Sequence, residues 1–292
     1  MKRAAVTGSS GFLGRHLAAG LDQAGYEVYR IDGIHRDAKD FFRYGPSLFP
    51  DIDVIIHCAA VGADRQSIDS TPLSLAVNFE LDAALFSWAA RAQPRRVVYI
   101  SSSAAYPVVL QQHAAGPLKE TLIDLDYPQR PDGIYGWAKL TGERLAALAR
   151  DAGVPVSVVR PFSGYGEDQG IKFPFGALAA RAQRRENPFE VWGSGLQVRD
   201  FIHVDDITAA VLVMIRDEID GPVNLGTGRG VSMLELVQMF CVAAGHERVV
   251  LHPTGEHEGV ACRVADIARM LQFYTPRVTL EEGIARMLGR HE

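Results

Sequence analysis

Short apolar runs and helical stripes alternate through the first 160 residues of the chain. Ala4-Ala5-Val6, EVYRI at 27–31, DVIIHC at 53–58, RVVYIS at 96–101 and VPVSVVR at 154–160 are rich in Val and Ile and read as buried strands. Leu13, Leu17 and Leu21 recur at helical spacing, and helical patterns cover Leu73–Ala92 and Ala138–Arg150. Such alternation predicts an α/β fold, a doubly wound parallel sheet with helices on both faces. From about residue 161, glycine and proline become frequent and elements shorter. This predicts a smaller C-terminal α/β region over the carboxyl edge of the strands, where open parallel sheets bind ligands. The expected division is therefore 1–160 and 161–292. The segment 200–216 (DFIHVDDITAAVLVMIR), a strand and then a helix, is expected to return to the first domain.

Composition changes this picture little. Across 292 residues, apolar content is 47%, charged content 22%, the net charge is −5 and the pI near 6.0. Neither nucleic acid nor an anionic membrane is an expected partner of such a surface. No apolar run approaches ~18 residues, and the N-terminus enters the first strand directly, so neither a span nor a signal peptide is expected. Cys58, Cys241 and Cys262 form no CxxC, which points to reduced thiols and the cytoplasm. The nine histidines show no ligand spacing, so no metal is expected.

Candidate chemistry sits at strand ends. Gly8-Ser9-Ser10-Gly11-Phe12-Leu13-Gly14 follows the first strand and opens the first helix, the context of a Rossmann dinucleotide turn. Gly8 permits the tight turn, Gly11 lets a pyrophosphate approach the backbone, and Gly14 lets helix pack on strand. Phosphates would sit on the helix N-terminus. Asp32 ends the second strand at the distance where a carboxylate bonds the adenosine ribose hydroxyls and repels a 2′-phosphate, which favours NAD over NADP. Arg36 pulls the other way. Tyr135 and Lys139 in YGWAK are four residues apart, so on a helix they share one face. A cation ~4 Å from a phenol favours phenolate by roughly 4 kcal/mol at an effective dielectric near 20, about three pKa units. Such a phenol is poised for general acid–base work.

With these motifs in order, the chain resembles the extended short-chain dehydrogenase/reductase family, in its NAD-dependent epimerase/dehydratase branch acting on nucleotide sugars. The resemblance spans the whole length: GSSGFLG at 8–14, Asp32, HCAA at 57–60, Asn78, SSSAAY at 101–106, YGWAK at 135–139, RPFSGYG at 160–166, VRDFIHVDD at 198–206, NLGTG at 224–228 and a late block at 264–284. It implies a catalytic set of Ser102, Tyr135 and Lys139, with Ser102 orienting the substrate hydroxyl and Lys139 also bonding the nicotinamide ribose. It implies NAD contacts at Gly8, Ser10, Gly11, Phe12, Leu13, Gly14, Asp32, Gly33, Cys58, Ala59, Ala60, Asn78, Ser101, Tyr135, Lys139 and Phe162. Substrate contacts fall on Ser102, Ser103, Ser163, Arg199 and Arg263, with Arg199 matching the arginine that grips the diphosphate. Three positions depart from the family. Ser163 replaces an asparagine, Glu256 replaces a diphosphate arginine, and Arg263 stands where relatives gate the sugar's C2 substituent. The short stretch between Asp32 and Asp53 also points to a reduced strand at the adenine.

The resemblance also orders the chemistries. Dehydratases carry an Asp-Glu pair after the catalytic hydroxyl residue; here Ser103 and Ala104 stand there. The 3,5-epimerising relatives carry a cysteine nearby; Ala104 and Ala105 leave none. The expected reaction is C4 epimerisation of a nucleotide sugar through a transient 4-keto intermediate. An NAD(P)H-dependent 4-ketoreductase and a non-catalytic dinucleotide-sensing protein are the alternatives. Family members pair two helices per subunit, so a homodimer through a four-helix bundle is expected. Its helices would be 73–92, offering Leu81, Leu85, Phe86 and Trp88, and 138–150, offering Leu140, Leu145 and Leu148.

Overall fold

A computed structural model describes residues 2–32, 38–48, 51–61, 72–171, 173–246, 250–254 and 259–289. Six parallel strands form the central sheet: β1 (Arg3–Thr7), β2 (Glu27–Ile31), β3 (Val54–His57), β4 (Arg96–Ile100), β5 (Val156–Pro161) and β9 (Gly221–Leu225), in spatial order β2-β1-β3-β4-β5-β9. The direction of winding reverses between β1 and β3, which opens a crevice at their carboxyl ends. The chain is therefore α/β and doubly wound, as its alternation predicts.

The strands are apolar on both sides because helices cover both. On one face α1 (Phe12–Gln23) and α6 (Val204–Arg216) bury Leu17, Leu21, Ile207, Val211 and Met214 against Val6, Ile56 and Val98. On the other, α2 (Ala38–Leu48), α3 (Val77–Ala92) and α4 (Gly133–Asp151) bury Phe41, Phe42, Leu85, Trp88 and Ala146 against Ile55, Val97 and Tyr99. Each large side chain buried this way contributes roughly 1.5–3 kcal/mol.

The stretch after Asp32 is helical at 38–48, so β2 is the only described strand beyond β1. The other departure concerns helix 138–150. Its pattern suggests a start at Ala138, yet α4 begins at Gly133, with Asp132 as extended N-cap residue. Both Tyr135 and Lys139 therefore lie within α4, on one face.

The rest of the chain packs around a second core. Short strands β6 (Ser163–Tyr165), β8 (Val198–His203), β10 (Gly230–Ser232) and β12 (Cys262–Arg263) form one small sheet, and β7 (Phe189–Val191) pairs with β11 (Leu251–Pro253). Helices α5 (Pro174–Gln183), α7 (Met233–Ala243) and α8 (Leu280–Met287) close over Phe175, Phe189, Phe201, Leu236 and Phe240. Ser232 and Glu235 form a reciprocal capping box at the start of α7. No helix among the described residues is long and apolar enough to cross a membrane.

Candidate active site

The turn after β1 is built around missing side chains. Gly8 has φ +66, and a Cβ there would come 2.7 Å from Ala59 N and 2.8 Å from the Cys58 carbonyl carbon. A Cβ on Gly14 would collide with the Gly8 carbonyl, which instead accepts the Gly11 N–H at 3.0 Å. Gly8 N–H donates to Ile31 O at 2.7 Å, tying the turn to the end of β2. Gly11 caps α1 with backbone alone. A helix start without a side-chain cap, approached by Cβ-free backbone, suits a pyrophosphate. Asp32 is only 9% exposed at the end of β2 and accepts from Ser9 Oγ at 3.4 Å. Cys58, Ala59 and Ala60 are half-buried beside the turn, and burial pushes the Cys58 thiol up to about 12 against the pull of Lys139, so it lines the crevice as a neutral group. Asn78 is buried and holds the Val61 backbone from both sides, through Oδ1 at 2.7 Å and Nδ2 at 3.3 Å. Gly33, Arg36 and Glu256 lie outside the described residues.

Gly136 brings the helix of Tyr135 and Lys139 against the turn that Ser102 caps. A Cβ there would run into the Ala104 carbonyl, so glycine lets the first turn of α4 lie directly on the turn 103–105. The Ala104 carbonyl also accepts from Asp132 N–H at 3.0 Å. Ser102 caps that turn, its Oγ accepting from Ala104 N–H at 3.1 Å, which leaves the hydroxyl proton for another acceptor. Ser103 and Ala104 are buried, while Ser102 and Tyr135 are half-exposed. Lys139 is 3% exposed; its Nζ donates to Ile100 O at 2.9 Å and lies 5.8 Å from the Tyr135 ring centre. Ser10, Phe12 and Leu13 stand at the α1 end of the same edge.

Beneath this edge lies a polar network that the motifs alone do not reveal. Glu143, one helical turn beyond Lys139, accepts from Ser101 Oγ at 2.5 Å and from Arg160 Nε and Nη2 at 2.9 and 2.6 Å. Ser101 thus commits its hydroxyl to the core rather than to the crevice. Arg160 continues through Nη1 to Tyr106 Oη at 3.0 Å, and Tyr106 donates to Asn224 Oδ1 at 2.7 Å. Burial pushes the Tyr106 phenol up to about 12, opposed by Arg160. A second set runs from Thr7 through His57 to Asp82, which accepts from Tyr99 Oη at 2.6 Å. Burial holds the His57 imidazole below its ordinary range, so it is neutral at physiological pH. A Cβ on Gly142 would strike Tyr99, so this glycine makes room for the Tyr99–Asp82 bond. Glu143 is not among the residues singled out from the sequence, although one signal was available: a carboxylate two helical turns beyond Tyr135 lies near the same helix face and must find a partner when that face is buried.

The remaining candidates lie in the second region. Phe162 is buried against Tyr106, Leu118 and Ala265, and Ser163 is half-buried in β6 opposite Phe201. Arg199 and Arg263 are register partners on the parallel strands β8 and β12. Asp200 and Asp205, the acids nearest Arg199 in sequence, have other partners. Asp200 accepts from Thr227, Gly228 and Ala265 backbone N–H groups and from Thr227 Oγ1, while Asp205 faces His203 and Arg286. Arg263, 13% exposed, donates from Nε to Gln111 Oε1 at 2.5 Å and from Nη2 to Asp132 Oδ2 at 2.6 Å, linking β12 to the N-cap of α4. No group of three or more His, Cys, Asp or Glu side chains among the described residues is arranged to hold a metal.

A family model, "NAD dependent epimerase/dehydratase family", matches residues 4–226. A dTDP-4-dehydro-6-deoxy-D-allose reductase of Streptomyces bikiniensis is 29% identical, with 98% of this chain and 96% of the relative covered. Among solved structures, MoeE5 in complex with UDP-glucose and NAD is 30% identical at a TM-score of 0.82, covering 98% and 97% of the two chains. A UDP-glucose 4-epimerase of Thermotoga maritima, solved with UDP-glucose, shares the fold at a TM-score of 0.85 and 24% identity over 99% and 98%. Similar proteins include nucleotide-sugar epimerases, reductases and dehydratases.

Proposed function

This chain belongs to the NAD dependent epimerase/dehydratase family, and from that premise we propose that it epimerises a nucleotide-activated sugar at C4 through a transient 4-keto intermediate. It is an enzyme of that family, and its cofactor is NAD. The Gly8–Gly14 turn and the unpaired N–H groups of α1 would hold the pyrophosphate, and Asp32 the adenosine ribose. Bound there, NAD would supply the hydride acceptor and donor for C4. Tyr135 takes the proton of the C4 hydroxyl and later returns one. Ser102 donates its spare hydroxyl proton to the same oxygen, and Lys139, fixed on Ile100 O, supplies positive charge beside the phenol.

The observation that carries this reading is the turn packed under Gly136: Ser102 caps it, beside the helix that carries Tyr135, and it holds only Ser103, Ala104 and Ala105. A hydroxyl–phenol–ammonium site without a carboxylate in that turn oxidises and reduces a carbinol; it has no acid–base pair there for expelling water. The test is turnover against a panel of nucleotide sugars without added cofactor. Epimers should form; a requirement for NAD(P)H would establish instead the 4-ketoreductase, the reading that the Streptomyces relative favours.

Asp32 makes cofactor choice testable. NAD(H) should bind more tightly than NADP(H), and Asp32→Ala should narrow the gap. Equal affinities in the unmodified protein would overturn the ribose assignment.

Arg199 and Arg263 are assigned to the substrate. Register pairing puts their Cα atoms about 4.8 Å apart, one strand spacing. Arg263 keeps its Nη1 donors clear of Gln111 and Asp132. Arg199→Ala and Arg263→Ala should each weaken nucleotide diphosphate binding by about 1.5–3 kcal/mol, as for loss of a charged hydrogen bond. Calorimetry reads this directly. Loss in Arg199→Ala alone would make Arg263 a sugar contact, and loss in neither would exclude a nucleotide sugar.

A homodimer completes the reading, on narrower grounds than the sequence suggests. Leu81, Leu85, Phe86, Trp88 and Leu140 are all buried within one subunit, the first four beneath α2 and α4. The apolar surface left on α4 is Trp137 and Leu148, 37% and 50% exposed. Light scattering at tens of micromolar should give twice the chain mass; a strictly monomeric mass would defeat the assignment.

A further inference from the structure

Two consecutive acids on the loop after β6 tie the two regions of the molecule together. Asp168 faces α1: its Oδ2 lies 2.7 Å from Arg15 Nε, its carbonyl accepts from Arg15 Nη2 at 3.0 Å, and His16 Nε2 is 3.0 Å from both carboxylate oxygens. Glu167 faces the other way, 3.1 Å from His203 Nε2 and 3.8 Å from Arg286, at the start of α6 and on α8. The loop also rests on Phe12, the first residue of α1. A Cβ on Gly166 would come 3.2 Å from the Phe12 ring and 2.7 Å from Val204. Arg15 lies 5.4 Å over that ring, and His16 meets it edge-on at 5.5 Å. The N–H groups assigned to the pyrophosphate belong to this same first turn.

We propose that Asp168 is a cofactor-retention residue: it pins the segment 166–169 to the dinucleotide turn, so that NAD leaves only after Arg15 and His16 release the carboxylate. The proposal rests on the Gly8–Gly14 turn being the NAD site. Its consequence fits the reaction. An epimerase regenerates NAD within each cycle and gains from holding it, whereas a ketoreductase exchanges its cofactor every turnover. Asp168 is 46% exposed, and a single exposed ion pair is weak. Here the residue gathers the Arg15 guanidinium, the His16 ring and a backbone contact onto one loop that cannot move without breaking all of them.

The experiment follows release of prebound NADH from the full chain, by fluorescence, after displacement with excess NAD. Asp168→Asn and Arg15→Ala should each accelerate release about tenfold, the scale of one charge-assisted hydrogen bond. The double variant should be no faster than the faster single, because both remove one interaction. Release within twofold of the unmodified protein in both singles, or additive acceleration in the double, would overturn the proposal. A protein that held NADH tightly through Asp168 yet needed added NAD(P)H for turnover would fail the epimerase reading and leave this one standing.

Discussion

Tyr135→Phe should lower turnover by about 10²–10⁴-fold while leaving the fold and NAD binding intact. The substitution removes one oxygen from a half-exposed ring that makes no hydrogen bond among the described residues, so stability has little to lose. Under the proposed mechanism, catalysis loses the group that exchanges a proton with the C4 hydroxyl. Ser102 cannot take over, because a serine hydroxyl without an adjacent base is a poor proton acceptor at neutral pH. Steady-state kinetics of the variant should show the loss in kcat, with KM changing little. A kcat near that of the unmodified enzyme would remove Tyr135 from the mechanism.

Glu143→Gln should cost about 3–5 kcal/mol of folding stability, the range for removing one partner of a buried ion pair. Glu143 and Arg160 are each 2% exposed at the side chain, so a neutral partner leaves the Arg160 charge buried and poorly compensated. The isosteric amide preserves volume, so a cavity does not account for the loss. The amide offers one oxygen where the carboxylate offers two, so either Ser101 Oγ and Arg160 Nε or Arg160 Nη2 would face an N–H group, next to Ile100 O, which fixes Lys139. Urea unfolding measures the stability change. A midpoint shift equivalent to less than about 1 kcal/mol would mean that water or another carboxylate compensates Arg160.

Much of this was legible in the sequence, and the gaps have physical causes. The glycines at 8, 11 and 14 are informative because backbone contact there excludes a Cβ, a constraint written locally. Asp32 is legible as an acid that ends a strand at a fixed distance along the chain from the glycine turn. The start of α4 is not, because Pro131-Asp132-Gly133 reads as a turn and the helix begins within it, held by Asp132 N–H on Ala104 O, 28 residues away. The Ser101–Glu143–Arg160–Tyr106–Asn224 network joins five separate segments, and no local pattern links its members until the fold brings them together. The leucines of α3 misled in the opposite sense. Their number suggested a subunit interface, yet Phe41 and Phe42 from α2 use that surface inside one chain. The pairing of Arg263 with Asp132 and Gln111, and of Asp168 with Arg15 and His16, spans more than 130 residues in each case and had no local signal.

The proposed reaction is a closed redox cycle at C4 run by Tyr135 with a resident NAD. It is tested most directly by incubating the enzyme with a nucleotide sugar deuterated at C4, in ordinary water and without added cofactor, and analysing the product by NMR. The product should be inverted at C4 and keep the deuterium on that carbon. Loss of the label to solvent, or no product until NAD(P)H is supplied, would contradict it.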